Sequence, residues 1–234
     1  MNRNDGEGLP VFKRLVTLRK NLFLFLYPMH KPTLYLIATI ALILLFSSCA
    51  VNKQPEAIRF RALQKGRIAD DSSYVYSLPY ETGKKHMIVQ GYFSRFTHRN
   101  RAAIDFKMKR GTPIYAARGG VVARVKEDGD KGGLDRNLRQ YGNSIVINHN
   151  DNTRAGYWHL QYNGAVVNVG DTVKQGQLIG YSGKTGYSAF PHLHFIVWRS
   201  EAGGWRQIGT RFQTKNGAKY LRPYRSYRRP NEQH

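Results

Sequence analysis

Two histidines near the C-terminal end of the chain, His192 and His194, lie two residues apart in the apolar segment 191–195. Alternate residues of a β-strand project from the same face, so this spacing would place both imidazoles on one side of a strand, whereas a helix would splay them. A strand that carries two imidazoles side by side can build a metal site or an acid–base pair. The pattern is weak alone, and its meaning depends on partners elsewhere in the chain.

Asp105 is the first candidate partner, because it lies between two apolar residues. A strand at this position would turn Ile104 and Phe106 toward the core and Asp105 toward the opposite face. A buried carboxylate is costly unless it is paired or bound to a metal. His98 precedes this segment closely and could join Asp105 at the same site.

His159 is the second candidate partner, and it lies in the segment 157–160. Strand alternation predicts Trp158 and Leu160 on one face and His159 on the other. Three strands can then bring His or Asp to a shared face. With His98 they could supply three metal ligands and two further imidazoles, and a catalytic zinc ion needs about three N or O ligands and an open position for water.

The elements that must position these residues are predicted to be β-strands. From residue 76 onward, short runs rich in Val, Ile, Tyr or Phe alternate with Gly and Asn/Asp breakers, and no amphipathic helix of useful length is found. This pattern predicts an all-β fold, an antiparallel β-sandwich or open barrel. The charged segment 128–139 is either a solvated hairpin tip or a loop beside a groove. The predicted strands are 86–90, 103–106, 113–116, 120–126, 144–149, 154–160, 177–181 and 192–199.

The charge balance of the 234-residue chain favours anionic partners. The chain has 37 Lys and Arg against 15 Asp and Glu, a formal net charge of +22, which suits a membrane surface, an acidic wall polymer or nucleic acid. The single cysteine excludes an intrachain disulfide and a multi-cysteine zinc site. Histidine and carboxylate ligands are therefore the expected donors of any metal site.

The N-terminal part is typical of a targeting segment. Residues 34–46 form an uncharged apolar run of 13 residues, which is shorter than the roughly 20 of a membrane-spanning helix and suits a signal peptide. Ser47, Ser48 and Cys49 follow the run, which resembles the lipobox of bacterial lipoproteins. We therefore expect cleavage of the signal segment 1–48 and lipid attachment at Cys49. A short uncleaved anchor is the alternative, and Met29 is a candidate for the true translation start.

Lipid attachment at Cys49 predicts an exported, membrane-anchored lipoprotein of the cell envelope. Residues 49–75 are polar and are predicted to be a tether with a short helix over 56–65. Residues 201–234 form a C-terminal extension in which basic and aromatic residues are interleaved. Such a pattern could bind nucleic acid, but an exported protein rarely meets it, so no nucleic-acid partner is expected.

Ordered segments between about residue 90 and residue 198 resemble the lysostaphin/LytM-type zinc endopeptidases, which cleave peptide cross-links in bacterial cell walls. Several blocks in the family's order are far more specific than two spaced histidines alone. The segments that carry the resemblance are His98 with 103–106, 111–117, 119–122, 141–147, 157–160, 176–180, 182–186 and 192–195.

The resemblance implies a peptidase domain over 76–200 and one zinc ion held by His98, Asp105 and His194, with water at the fourth position. His159 and His192 would then be the catalytic imidazoles that polarise this water and stabilise the oxyanion. The implied activity is that of a metalloendopeptidase that hydrolyses the peptide cross-links of peptidoglycan. The membrane would be a second partner through the lipid anchor, and the sequence does not indicate an oligomeric state.

One departure from the family concerns the first metal ligand. Many members place a histidine four residues before the aspartate, where this chain has Arg101, and a guanidinium cannot deprotonate to bind metal. His98 lies seven residues before Asp105. A subset of the family has a longer spacer that opens with a Ser/Thr-His pair, which Thr97 and His98 resemble. His86 is the alternative ligand.

Two function classes follow from the resemblance. The first is an active zinc endopeptidase, and the second is a non-catalytic wall-binding relative that activates a peptidoglycan amidase through the same groove. Degenerate relatives lose metal-site residues, whereas this chain keeps all five candidates, which favours the enzyme. Among the remaining polar residues, His149 is expected to be solvated at a hairpin end, and Asn143 is expected to fix a turn.

Overall fold

The short alternating runs fold into strands throughout the described chain. The computed structural model describes residues 54–70 and 73–231, so the predicted signal segment 1–48 and Cys49 lie outside the described residues. The described elements are the helix α1 (Pro55–Gln64), a 3₁₀ helix (Arg136–Tyr141) and the strands β1 (Val75–Tyr76), β2 (Lys85–Gln90), β3 (Ala103–Lys107), β4 (Pro113–Tyr115), β5 (Gly120–Lys126), β6 (Gly132–Gly133), β7 (Asn143–Asn148), β8 (Thr153–Ala165), β9 (Thr172–Val173), β10 (Leu178–Ser182), β11 (Gly186–Tyr187), β12 (His192–Glu201), β13 (Gly204–Ile208), β14 (Arg211–Thr214), β15 (Gly217–Tyr220) and β16 (Ser226–Arg228).

Most of the strands join one large sheet, whose pairings are antiparallel. Its main path runs β16-β2-β3-β12-β8-β7-β5-β9, with β13 beside β12 and with β10 pairing both β4 and β8. A smaller sheet contains β1, β14 and β15, and β6 pairs in parallel with β11. The predicted all-β, antiparallel class is confirmed. No helix within residues 54–70 and 73–231 is long and apolar enough to cross a membrane.

Strand β12 shows how alternation divides the large sheet into two faces. Leu193, Phe195 and Val197 are almost fully buried in the hydrophobic core, and His192 and His194 alternate with them on the other face. Burying an apolar side chain of this size contributes about 1.5–3 kcal/mol. A slip of one residue would expose these three residues and turn the histidines into the core, so the register is strongly specified.

Helix α1 packs onto the body through one aromatic residue. Pro55 opens the helix, where its missing N–H costs nothing. The ring of Phe60 lies 5.4 Å from that of Tyr92 and 5.2 Å from that of Phe93, and a Cβ at Gly209 would come within 1.7 Å of the Phe60 ring. The helix expected within the predicted tether is therefore present, and it is part of the packed structure.

Residues after position 200 also contribute to the core. Strand β13 pairs with β12, β14 lies parallel to β1, and β16 pairs with β2. Phe212 and Leu221 are fully buried, whereas basic residues such as Lys219 are exposed. The described residues, 54–70 and 73–231, belong to one compact unit. The domain boundaries expected near residues 76 and 200 stay a prediction.

The expectation that His149 is solvated is wrong. Its side chain is buried, with its ring 5.9 Å from that of Tyr76 and Nδ1 2.8 Å from the carbonyl oxygen of Gly119. Burial lowers the pKa of this imidazole. The residue does follow β7 at the turn into β8, but Tyr76 of β1 covers that turn, a contact distant in sequence that local polarity does not reveal.

A buried cation lies close to this turn. The Arg118 guanidinium donates to Asp151 Oδ2 at 2.8 Å and to Asn150 Oδ1 at 2.9 Å, and it lies 3.9 Å from the ring centre of Tyr74. Asp151 also accepts hydrogen bonds from Thr153. Partial burial acts to raise the pKa of Asp151, but the hydrogen bonds from Thr153 and Arg118 outweigh it and lower this pKa to about 2.

Asp151→Asn should lower the free energy of unfolding near neutral pH and have little effect in acid. A carboxylate whose pKa is lower in the folded state stabilises above its unfolded pKa of about 3.9, and the stabilisation is lost as pH falls toward about 2. Urea unfolding at pH values from about 2 to about 7 measures the difference. Asp130→Asn, in an exposed position, is the matched control. A deficit in Asp151→Asn that stays constant with pH would contradict this account.

Candidate metal centre and active site

The register between β3 and β12 places Asp105 directly opposite His194. His194 Nδ1 lies 2.8 Å from Asp105 Oδ1, and both side chains are about nine-tenths buried. Ile104 and Phe106 lie in the core, as strand alternation predicts for the residues that flank Asp105. The carboxylate is therefore removed from bulk water and depends on its protein partners.

His98 approaches this pair from the loop between β2 and β3. Its Nε2 lies 3.1 Å from His194 Nδ1 and 3.3 Å from Asp105 Oδ1, while its Nδ1 lies 3.2 Å from the carbonyl oxygen of Gly91. A hydrogen bond between Nδ1–H and a carbonyl fixes the tautomer and leaves Nε2 available as a ligand. The loop thus brings His98 to the site across its seven-residue spacing from Asp105.

The loop that carries His98 is fastened at the residue before it. Gln90 Nε2 donates to Thr97 Oγ1 at 2.7 Å, which ties the end of β2 to the position next to His98. Arg101, at the position where many relatives have the histidine, is exposed. Within the spacer itself, the Arg101 N–H donates to the carbonyl oxygen of His98 at 3.0 Å.

Three residues form a set of donor atoms that fits a zinc ion. One ligand atom from each of His98, Asp105 and His194 lies within 4.8 Å of the others. Two imidazole nitrogens and one carboxylate oxygen are donors that zinc prefers, and three protein ligands leave a position for substrate or water. His86, the alternative ligand, is not in this cluster, and its Nδ1 lies 2.9 Å from the carbonyl oxygen of Lys107.

The electrostatics of the cluster favour the protonation states that metal ligands need. Burial alone would raise the pKa of the Asp105 carboxyl, but the imidazoles of His98 and His194 hold this pKa well below its usual range. Burial lowers the pKa of His194, although Asp105 acts in the opposite direction. An ionised carboxylate therefore lies beside a neutral His194 at neutral pH.

His159 and His192 form a second pair, with ring centres 4.6 Å apart. His159 Nδ1 lies 2.7 Å from the carbonyl oxygen of Thr185, and His192 Nδ1 lies 2.8 Å from that of Phe190. With Nδ1–H donated to a carbonyl, each Nε2 keeps a lone pair for proton exchange. Burial, with the neighbouring His192 and His194, lowers the pKa of His159 to about 3.

This pair lies directly beside the ligand cluster. His192 Nε2 is 3.7 Å from Asp105 Oδ1, and the ring centre of His159 is 5.9 Å from that of His194. Together with His98, all five residues singled out from the sequence are brought to one face of the sheet.

A β-bulge turns His159 toward the site. The register between β7 and β8 shifts at this point, so β8 has one residue more than its partner, and His159 has a φ of +65°. The predicted grouping of Trp158 with Leu160 is therefore wrong. Leu160 lies in the core, whereas the Trp158 ring lies 6.0 Å from that of His194 on the site face, because the extra residue resets the alternation.

The charged segment 128–139 lies beside the site and is not a free hairpin tip. Its strand β6 pairs in parallel with β11, which follows Thr185 and precedes β12. A Cβ at Gly132 would come within 1.7 Å of the carbonyl oxygen of Lys184. The segment therefore packs against the backbone that supplies the Thr185 carbonyl to His159.

Asn143 holds the start of this segment. Its side-chain amide donates to the carbonyl oxygens of Glu127, Gly129 and Gln161, and its Oδ1 accepts from Gly129 N–H. The expectation that Asn143 fixes a turn agrees with these contacts. Thr185 and Phe190 were not identified from the sequence, because they hold the imidazoles through carbonyl groups that every residue type possesses.

His and Asp donors next to two oriented imidazoles, on one face of an antiparallel sheet, are the groups that a metal-dependent hydrolase would use. Residues 99–205 match the model of Peptidase family M23, and the chain belongs to this family, of the lysostaphin/LytM type. The match begins one residue after His98, so the assignment of that residue depends on the geometry described above.

Three relatives show how much of the chain is shared. An uncharacterized metalloprotease of Buchnera aphidicola is 40% identical over 108 residues, which are 45% of this chain and 26% of the relative. Lysostaphin of Staphylococcus simulans is 44% identical over 94 residues, 39% of this chain and 17% of the relative. The peptidoglycan DD-endopeptidase ShyA of Vibrio cholerae is 38% identical over 91 residues, 39% of this chain and 18% of the relative. The chain thus matches about a quarter or less of the length of each relative.

Gly132→Ala should destabilise the protein by about 1–3 kcal/mol, because the added methyl group meets the backbone carbonyl of Lys184. The adjacent Gly133→Ala is the matched control, since its closest neighbour is the end of a flexible side chain, Leu138 Cδ1, at 3.1 Å. Urea unfolding of the two variants measures the difference. Equal losses in both would show that the approach of β6 to Lys184 is not the cause.

Proposed function

We propose that this protein is a zinc-dependent endopeptidase that hydrolyses peptide cross-links of peptidoglycan. The observation that carries the proposal is the convergence of His98, Asp105 and His194 within 4.8 Å of one another, beside an imidazole pair whose rings are 4.6 Å apart. Membership of Peptidase family M23 supports a peptidase, and the names of lysostaphin and of the peptidoglycan DD-endopeptidase ShyA support the bacterial wall as the substrate.

Each site residue has a distinct proposed role. His98 Nε2, Asp105 Oδ1 and His194 Nδ1 would hold one zinc ion, which when bound supplies a Lewis acid for the scissile carbonyl and for water. His159 and His192 would exchange protons through Nε2, the nitrogen that their backbone hydrogen bonds leave free, and stabilise the negative charge of the tetrahedral oxygen. A positioned imidazole typically contributes about 10²–10⁴-fold in rate.

The carbonyl partners of the imidazole pair fix the orientation of both rings. Because Nδ1–H of each ring is donated to a carbonyl, the ring cannot rotate its Nε2 away from the cluster without losing that bond. Each imidazole is thus oriented before substrate binds. Orientation fixed in the free protein lowers the cost of reaching the reactive arrangement.

The alternative function is a non-catalytic relative that binds the wall and activates an amidase. This alternative explains neither the buried Asp105 carboxylate between two imidazoles nor the backbone partners of His159 and His192. A protein that only binds needs no oriented bases, so the observed geometry favours the enzyme.

Single substitutions should separate zinc binding from catalysis. His98→Ala should abolish zinc retention and activity, because it removes one of three ligands. His192→Ala should retain zinc and lower wall cleavage by about 10²–10⁴-fold. The measurements are zinc per chain by elemental analysis and release of cross-linked peptides from purified peptidoglycan, with and without a chelator.

His86→Ala is the control for this pair, because His86 is outside the cluster and should leave both quantities unchanged. Full zinc content in His98→Ala would refute the assignment of His98 as a ligand. Release of no peptides by the zinc-loaded protein would refute the endopeptidase and favour the amidase activator.

We further propose that the protein is exported and attached to a membrane through a lipid on Cys49. The support is the apolar run 34–46 followed by Ser47, Ser48 and Cys49, together with the net charge of +22, which favours anionic lipid and wall surfaces.

Cys49→Ser should prevent acylation and move the protein out of the membrane fraction. The measurement is incorporation of labelled fatty acid together with fractionation of cells, with Ser48→Ala as a control that keeps the thiol. Labelling of Cys49→Ser equal to that of the wild type would refute lipid attachment at this residue.

A further inference from the structure

All three tryptophans of the chain lie in one row that begins at the ligand cluster. The ring centre of Trp158 is 6.0 Å from that of His194, Trp198 is 5.8 Å from Trp158, and Trp205 is 6.3 Å from Trp198. Trp158 and Trp198 are half-buried, whereas Trp205 is 63% exposed. An exposed indole that continues a row of rings from a reactive centre points to ligand binding, since it does not serve the core.

Strand register places the row on the same face as the site. Trp158 pairs with His194 between β8 and β12, and Trp205 pairs with Ser200 between β13 and β12. Since His194 and Ser200 are six residues apart on one strand, the row extends about 20 Å from the cluster. A Cβ at Gly156 would come within 1.8 Å of Trp158 Cζ3, so the glycine allows this indole to lie against the sheet.

Strand β12, which carries Trp198, is paired along both edges from His194 to Arg199. β12 is hydrogen-bonded on one side to β8 and on the other to β3 and then β13. An extended peptide therefore cannot be added as a further strand beside β12, so a ligand at this strand must be recognised by side chains. Arg154 and Gln207 lie across from Trp198 on the two neighbouring strands, so polar groups border the aromatic rings.

We propose that the tryptophan row binds the glycan strand of the wall, a polymer of β-linked N-acetylhexosamines, while the cluster acts on the attached peptide. This inference rests on the proposed function. A pyranose ring has a flat face of C–H groups that packs on an indole and a rim of hydroxyls that needs hydrogen-bonding partners. Rings of tryptophan bordered by Arg154 and Gln207 match both requirements.

The arrangement of the rings favours a saccharide over a lipid surface. The planes of adjacent indoles are tilted by 47° and 60° to each other, so the rings present separate faces rather than one flat apolar patch. Successive sugar units also present separate faces. The row is continuous with the cluster through Trp158, which suits a polymer whose peptide branch reaches the site while its backbone lies along the sheet.

The test is binding of chitotetraose to the full-length protein, measured by tryptophan fluorescence and by calorimetry. The wild type should show saturable quenching, and Trp205→Ala should weaken binding by at least about tenfold, as expected for an exposed aromatic anchor. Tyr224→Ala is the matched control, because Tyr224 is 79% exposed and lies outside the row, and it should bind as the wild type does. Circular dichroism checks that both variants are folded.

Binding is measured without cleavage, so the two proposals fail separately. A protein that binds chitotetraose but releases no wall peptides would refute the endopeptidase and leave the glycan site in place. Equal affinity in Trp205→Ala and the wild type would overturn the glycan site. Quenching by anionic phospholipid vesicles with none by chitotetraose would also overturn it and assign the row to a membrane surface.

Discussion

The rest of the site depends on the contacts between the buried Asp105 carboxylate and its two imidazole partners. A charged group removed from water must be compensated by partners within hydrogen-bonding distance. His194 contacts the Asp105 carboxylate from the paired position on β12, and His98 contacts it from the loop that precedes β3. The same requirement makes the position suitable for a divalent cation, because the imidazoles beside the carboxylate are donors of the kind that bind such a cation.

The sheet and its connecting segments both position these groups. Strand pairing sets the separation of Asp105 and His194, and backbone carbonyls at Thr185 and Phe190 set the orientation of the two catalytic candidates. The loop that supplies Thr185 is in turn packed against β6. The segment 128–139 is therefore connected to His159 through β11 and the carbonyl group of Thr185.

The sequence predicts those features that follow from local alternation and from the residues shared with a family. The two-residue spacing of His192 and His194 and the apolar residues that flank Asp105 predicted that these three side chains share one face of the sheet, and the structure brings them together there. Local alternation could not predict the face of the sheet on which Trp158 lies, nor the burial of His149. A β-bulge changes the face on which Trp158 lies. His149 is buried because Tyr76 of β1, which is distant in sequence, covers the polar turn.

The packing of α1 through Phe60 has a consequence for where the protein can work. Only residues 50–53 separate Cys49 from Gln54, the residue that caps α1. The five Cα–Cα steps from Cys49 to Gln54 span at most about 18 Å when fully extended. A lipid on Cys49 would therefore confine the folded body to a thin layer at the membrane, where encounters with the wall are governed by diffusion in two dimensions and by local concentration rather than by reach.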